Sequence, residues 1–228
     1  MFLIIEQKCV LWLLKGNGLK ILRKNKYKKK FIYLISPSRI VSDEFYYNLN
    51  KVLKTKKVIY FQLRLKKYPK HKILIIGKKI KKICLKNKVK LIINDDPLLA
   101  KKIGADGCHL GQKDMKIDKA KKILKKKIIG LTCHNSKKLI DNAIKNNPDY
   151  IAIGAFFSSM TKKIKYKASI STLKYAKNIT NIPIVAIGGI NSNNYRKLLL
   201  NNANFLAISG YIWNNKKYKP YEAIKKII

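Results

Sequence analysis

From residue 31 onward the chain repeats one pattern, a short apolar run followed by a polar, lysine-rich stretch of helical character. The apolar runs fall at 31–36, 58–65, 89–94, 106–111, 127–132, 149–154, 182–188 and 204–210. Helix-like segments lie between and after them, at 43–54, 72–88, 97–103, 116–126, 135–146, 169–179, 191–201 and 220–228. Short continuous runs rich in Ile and Val, set between helices, indicate parallel strands that are covered on their outer face. Eight units of similar length predict a single-domain α/β fold, a closed (β/α)8 TIM barrel, in preference to the alternative of a doubly wound open sheet.

A barrel of this kind builds its site where strands end and helices begin. Polar residues gather at those places. Gln62, Arg64 and Lys66 close the second run, and Asn94 and Asp95 the third. His109 and Asp114 follow at the fourth, Thr132 and His134 at the fifth, Gly188 and Gly189 at the seventh, Ser209 and Gly210 at the eighth. Strand side chains alternate, so Gln62, Arg64 and Lys66 share one face while Leu63 and Leu65 share the other. Two cations and an amide on one face suit a di- or polyphosphate.

The acids are scarce and clustered: Asp95, Asp96, Asp106 and Asp114 fall within twenty residues of one another. Carboxylates at successive strand ends suit Mg2+, a hard cation held by one or two carboxylates plus phosphate oxygens. Asp96 before Pro97 reads as a helix cap and Asp106 as a turn residue, which leaves Asp95 and Asp114 as ligand candidates. Gly188-Gly189, followed by Asn191 as an expected helix N-cap, and Ser209-Gly210 match the phosphate site that barrels build after strands seven and eight. The loop from Gly154 to Lys163 adds Ser159, Thr161 and Lys162, two hydroxyls and a cation suited to phosphate, although its composition describes a plain polar loop equally well. His71, His109 and His134 form no metal set, and His109, inside a strand, reads as a satisfied core histidine.

Charge alters this picture little. The 228 residues carry 52 Lys+Arg against 11 Asp+Glu, a formal net charge of +41, yet 47% are hydrophobic, so a sizeable core forms and disorder is excluded. Only Arg23, Arg39, Arg64 and Arg196 are arginines, and the lysines are spread in short groups along the whole chain. That describes a solvated lysine coat with weak polyanion attraction, not a specific nucleic-acid surface, which is more usually arginine-bearing and clustered. Cys9, Cys84, Cys108 and Cys133 stand far apart without ligand spacing, as reduced thiols of a cytoplasmic protein do. No membrane span is expected, because no run of roughly 18 apolar residues occurs. Residues 1–26 read as a basic N-terminal extension, either a surface helix or the product of an upstream start codon, and the barrel domain takes residues 27–228.

Taken in order, QLRLK, IINDD, GADGCHLGQKD, GLTCHNS, GAFFSSMTKK, AIGGI and AISGYIW resemble the thiamine phosphate synthases and their thiazole-tautomerase relatives. The resemblance covers residues 31–213. It implies a transferase that joins a hydroxymethylpyrimidine diphosphate to a thiazole phosphate, or its carboxylated form, through a pyrimidine cation, with Mg2+ as cofactor and pyrophosphate released. It further implies Gln62, Arg64, Lys66, Asn94, Thr132 and Lys162 around the pyrimidine diphosphate, with Arg64, Lys66 and Lys162 catalytic. Asp95 and Asp114 would hold Mg2+, and Ser159, Thr161, Gly189, Ser209 and Gly210 would surround the thiazole phosphate. Four places depart from the family pattern: Leu65 for glutamate, Thr132 for serine, Ser158-Ser159 for Pro-Thr, and Gly210 for serine. The alternatives are a tautomerase-like enzyme that needs no Mg2+ and uses His134 as a proton carrier, and a barrel that binds nucleic acid without catalysis. The expected partners are two small-molecule substrates; a homo-oligomer is left open.

Overall fold

The computed structural model describes residues 31–158 and 167–227. Eight strands alternate with helices: β1 (Ile32–Ile35), α1 (Glu44–Lys54), β2 (Val58–Leu63), α2 (Lys70–Lys86), β3 (Lys90–Asn94), α3 (Pro97–Ile103), β4 (Gly107–Leu110) and α4 (Ile117–Leu124) form the first half. The second half is β5 (Ile128–His134), α5 (Lys137–Asn146), β6 (Tyr150–Gly154), α6 (Ile170–Ile179), β7 (Ile184–Ile187), α7 (Tyr195–Leu200), β8 (Phe205–Ile208), α8 (Gly210–Trp213) and α9 (Pro220–Lys225). Every strand pairs in parallel with the next, and β8 returns to β1, so the sheet closes in chain order. The (β/α)8 TIM barrel expected from the repeat is the fold observed.

Apolar residues line both faces of the sheet, which is why the strands read as continuous runs. The larger cluster fills the layer between strands and helices; Ile32, Leu34, Leu63, Leu91, Ile93, Cys108, Ile151 and Leu206 belong to it. A smaller one fills the barrel interior with Tyr33, Ile35, Ile92, Tyr150, Ala152, Val185 and Ala207. Alternation along each strand assigns residues to one or the other. In β1, for example, Ile32 and Leu34 face out while Tyr33 and Ile35 face in. The interior is strongly aromatic: Tyr33 meets the Tyr150 ring edge-on at 5.5 Å, and Tyr60 lies 5.4 Å from Tyr33 and 6.0 Å from Tyr150.

Side chains set the starts of three helices. Asp96 accepts from Leu99 N–H at 2.9 Å and caps α3, while Ser136 and Ser169 do the same for α5 and α6. The last of the long connections differs from expectation. Asn191 does not cap a helix directly: its Oδ1 accepts from Asn193 N–H, and its own N–H donates to Asn194 Oδ1, so a turn of asparagines intervenes and α7 begins only at Tyr195. Asp106 is more than a turn residue. Its carboxylate accepts from Leu91 N–H at 2.8 Å and from Lys81 Nζ at 2.6 Å, and so ties α2 to the start of β4, at the barrel end opposite the strand C-termini. No helix among the described residues is long and apolar enough to cross a membrane.

Candidate active site

At the C-terminal ends of β2, β3 and β4 lies a cavity of about 470 Å3, whose wall includes Lys66, Asn94, Asp95, Lys113 and Asp114, with Tyr68, Leu98 and Met115 on its apolar side. Asp95 is turned into it by a left-handed backbone (φ 67°), and its N–H donates to His109 C=O at 2.8 Å. Aspartate tolerates that conformation better than most residues. Lys66 Nζ stands 3.1 Å from Asp95 Oδ2, so the cation that follows β2 and the carboxylate that follows β3 are already paired. Asp114 is held by Gly111, whose N–H donates to Asp114 Oδ2 at 2.6 Å; a β-carbon on Gly111 would come within 3.0 Å of that oxygen. Burial raises the Asp114 carboxyl above the ordinary range, and its hydrogen bond to Asp95 pushes the same way, while the Gly111 amide and the Lys66 charge pull it back. Asp95 and Asp114 thus face one cavity, where a divalent cation would offset their mutual repulsion. Two carboxylates, with room for phosphate oxygens and water, match the usual demand of Mg2+. No cluster of three or more potential protein ligands occurs among the described residues.

Gln62 sits elsewhere. It points into the barrel interior, 3% exposed, at one end of a hydrogen-bonded chain that crosses the barrel. Gln62 Nε2 lies 3.0 Å from Tyr33 OH, Tyr33 OH 2.7 Å from Tyr150 OH, Tyr150 OH 3.0 Å from His109 Nδ1, and His109 Nε2 2.8 Å from Thr132 Oγ1. Both ends are residues expected at the substrate. Burial pulls the His109 imidazole down to about 4; the Asp95 charge opposes this, and the Arg64 and Lys66 charges reinforce it. Arg64 follows β2 by one residue and is fastened by its backbone, its N–H donating to Ser36 Oγ at 3.0 Å; its side chain is not part of the cavity wall.

Sequence reasoning missed Tyr33, Tyr150 and Gly130. The strand register explains how they act together. Gly130 of β5 pairs with His109 on one side and with Tyr150 on the other. A β-carbon at Gly130 would fall inside the Tyr150 ring, so this glycine opens the gap through which Tyr150 and His109 reach each other. Their rings stack at 5.6 Å with planes 7° apart. The signal in the sequence was a tyrosine and a histidine at inward-alternating positions beside a strand glycine.

The opposite side of the mouth is formed by the ends of β7 and β8. Gly188 and Gly189 have φ of 106° and 61°, which only glycine adopts readily in succession. Around Gly189 the space for a side chain is occupied by the carbonyls of Phe157 and Ser158, so the loop after β6 packs directly on this turn. Ser209 Oγ donates to Ser36 C=O at 3.0 Å, and Trp213 Nε1 donates to Ile35 C=O at 2.7 Å, which together fasten β8 and α8 to β1. Ser209 therefore spends its donor within the protein. Ser159, Thr161 and Lys162 lie outside the described residues.

Comparison with known proteins identifies the family. The profile of the family described as "Thiamine monophosphate synthase" matches residues 32–212. The chain belongs to this family. A protein of Pelagibacter ubique (strain HTCC1062) named thiamine-phosphate synthase is 65% identical over 206 residues, which cover 90% of this chain and all of that one. The namesake from Erythrobacter litoralis (strain HTCC2594) is 35% identical over 86% of this chain and 94% of its own length. Among solved structures, the thiamine phosphate pyrophosphorylase from Pyrococcus furiosus superposes with a TM-score of 0.76 at 26% identity, covering 89% of this chain and 96% of that one. The chain is accordingly an enzyme of the transferase class.

The positions noted above as departures from the resemblance now have locations. Leu65 is 3% exposed and belongs to the outer apolar layer, turned away from Gln62 but in the wall of the cavity. Thr132 keeps the hydroxyl of the usual serine and engages His109 with it. Gly210 opens α8, where a serine would have supplied a hydroxyl beside Ser209. Ser158 meets Gly189 through its backbone carbonyl, a contact that does not depend on its side chain.

Proposed function

We propose that this barrel is a Mg2+-dependent thiamine phosphate synthase that condenses 4-amino-2-methyl-5-hydroxymethylpyrimidine diphosphate with a thiazole phosphate. The observation that carries the reading is the meeting of the Lys66–Asp95 ion pair with Asp114 in the wall of one cavity at the barrel mouth. Asp95 and Asp114 would hold Mg2+, which when bound supplies positive charge to the diphosphate oxygens. Arg64 and Lys66, with Lys162 from the loop after β6, stabilise the negative charge that accumulates on the departing pyrophosphate. Preorganised charge of this kind is usually the largest catalytic contribution. The C–O bond to the pyrimidine methylene breaks and its electron pair leaves with pyrophosphate. The lone pair of the thiazole nitrogen then forms the new C–N bond, so no acid, base or oxidant is consumed. Gln62, Asn94 and Thr132 orient the pyrimidine half. Gly189, Ser209 and Gly210, with Ser159 and Thr161, surround the thiazole phosphate, Ser209 through its backbone N–H because its hydroxyl is engaged by Ser36. Three unpaired, buried thiols, Cys84, Cys108 and Cys133, support a cytoplasmic setting.

The test is a two-substrate assay on purified protein with and without Mg2+, following thiamine phosphate and pyrophosphate. Formation of both products only when the ion is present supports the reading. Folded protein that yields neither with both substrates and Mg2+ overturns it.

A further inference from the structure

The interior chain has a direction. Gln62 Nε2 is an amide nitrogen and donates to Tyr33 OH. Tyr33 and Tyr150 are each 1% exposed and have one proton apiece. Tyr33, already accepting from Gln62, places its proton on Tyr150. Tyr150 then places its own on His109 Nδ1, so the ring carries its proton on Nε2 and donates to Thr132 Oγ1. Among the described residues no acceptor is assigned to the Thr132 proton. Any other protonation of the ring, with Gln62 as placed, makes Nδ1 a donor, turns the Tyr150 proton back toward Tyr33, and leaves the Tyr33 proton buried without a partner. A buried donor left unsatisfied loses its hydration without recompense. No buried side-chain polar atom lacks a partner among the described residues.

We propose that Tyr33, Tyr150 and His109 are positioning residues that carry one polarised run of hydrogen bonds from Gln62 to Thr132, fixing Thr132 as a donor and Gln62 Oε1 as an acceptor toward the substrate. The roles of Gln62 and Thr132 at the substrate rest on the reading above; the polarity of the run rests on geometry alone. A ligand edge that presents an acceptor atom to Thr132 and a donor to Gln62 fits this arrangement, and one with those groups exchanged meets a donor facing a donor. Gly130 is part of the device, since it alone lets Tyr150 reach across β5.

The experiment has two arms. Nitrogen NMR of protein labelled at histidine, without substrate, reads the His109 tautomer, with His109→Asn used for assignment. The expected signature is an unprotonated Nδ1 and a protonated Nε2, lost or averaged in Tyr150→Phe and partly relaxed in Tyr33→Phe. Tyr60→Phe, which keeps the packing and removes a hydroxyl outside the run, leaves the signature unchanged. In the second arm, Tyr33→Phe and Tyr150→Phe raise KM for the pyrimidine diphosphate about tenfold with kcat within about twofold. A resting His109 protonated on Nδ1, as half a turn of the Gln62 amide would produce, overturns the polarity. So does a signature that Tyr150→Phe does not alter. Unchanged KM in both folded variants overturns the positioning role. A protein with the expected tautomer that makes no thiamine phosphate refutes the synthase reading and leaves the polarity supported. If Tyr150→Phe does not fold, Tyr33→Phe, at the other side of the same bond, decides both arms.

Discussion

Replacing Gly130 by alanine should be far more costly than its single methyl group suggests. In an ordinary strand the change is favourable by up to ~1 kcal/mol, because alanine loses less chain entropy than glycine. Here the new β-carbon coincides with the Tyr150 ring, which has β6 behind it and the His109 ring stacked 5.6 Å away. If Tyr150 holds its place, overpacking costs ~1–3 kcal/mol. If it withdraws, it loses the hydrogen bonds to Tyr33 and His109, at ~1 kcal/mol each, and the ring contacts, at ~0.5–1.5 kcal/mol. After the alanine gain the first route leaves a net loss of up to about 3 kcal/mol and the second about 1.5–3.5 kcal/mol, so a loss near 2 kcal/mol, or a drop in Tm of roughly 4–8 °C, is expected for a domain of this size. Urea unfolding at pH 7 measures it. The decisive comparison is a double-mutant cycle with Tyr150→Leu, whose smaller side chain vacates the clash. Gly130→Ala should cost at least 1.5 kcal/mol less in that background, a coupling well beyond the usual non-additivity of distant sites. Additive losses, or a stabilised Gly130→Ala, would show that the glycine gap does not hold the Tyr150–His109 contact.

Other expectations follow from the same geometry. Asp95→Asn and Asp114→Asn should each lower kcat by ~10²–10³ and shift the Mg2+ requirement to higher concentration, whereas Asp96→Ala should cost about 1 kcal/mol of stability through the lost α3 cap and leave kcat within twofold; steady-state assays across a Mg2+ series separate the three. His109 titrates near its ordinary value of 6.5 in the unfolded chain but is pulled down to about 4 in the fold, so between those values the unfolded state binds more protons. Its contribution, about 3 kcal/mol, is therefore full above pH 6.5 and is lost as pH falls toward 4; His109→Gln should flatten the urea midpoint across that window, and an unchanged slope would disprove the buried, neutral ring. Asp106→Asn breaks a largely buried ion pair far from the mouth and should cost about 2–3 kcal/mol in unfolding experiments without altering KM for either substrate. Adsorption of polyanions such as heparin or RNA should fall steeply between 50 and 200 mM salt, since exposed lysines contribute only screened attraction.

The barrel was legible because its strands are buried on both faces, which leaves uninterrupted Ile and Val runs in the sequence. The gathering of Lys66, Asp95 and Asp114 around one cavity was legible for a related reason: charge is placed at strand ends, where a purely structural barrel has little use for it. Two features were not. The start of α7 was hidden because three asparagines close to one another can either cap a helix or fold back on their own backbone, and Asn191 does the latter. The run from Gln62 to Thr132 was hidden because its members lie on five different strands. Their meeting depends on which residue of β4 stands beside which residue of β5 and β6, and no property of a single segment encodes that register. Tyr33 and Tyr150, each set among isoleucines and other apolar residues, look in the sequence like ordinary packing aromatics.

The separation of the apolar interior into an outer shell and a small aromatic plug inside the barrel has an evolutionary corollary. Mutations in the shell away from the cavity wall act on folding, and drift there is tolerated as long as volume is conserved. Mutations in the plug change stability and chemistry together, because the same rings that fill the barrel also aim the groups at its mouth. Among natural variants of this enzyme, loss of function without loss of solubility should therefore trace not only to the charged rim but also to the handful of inward-facing aromatics beneath it.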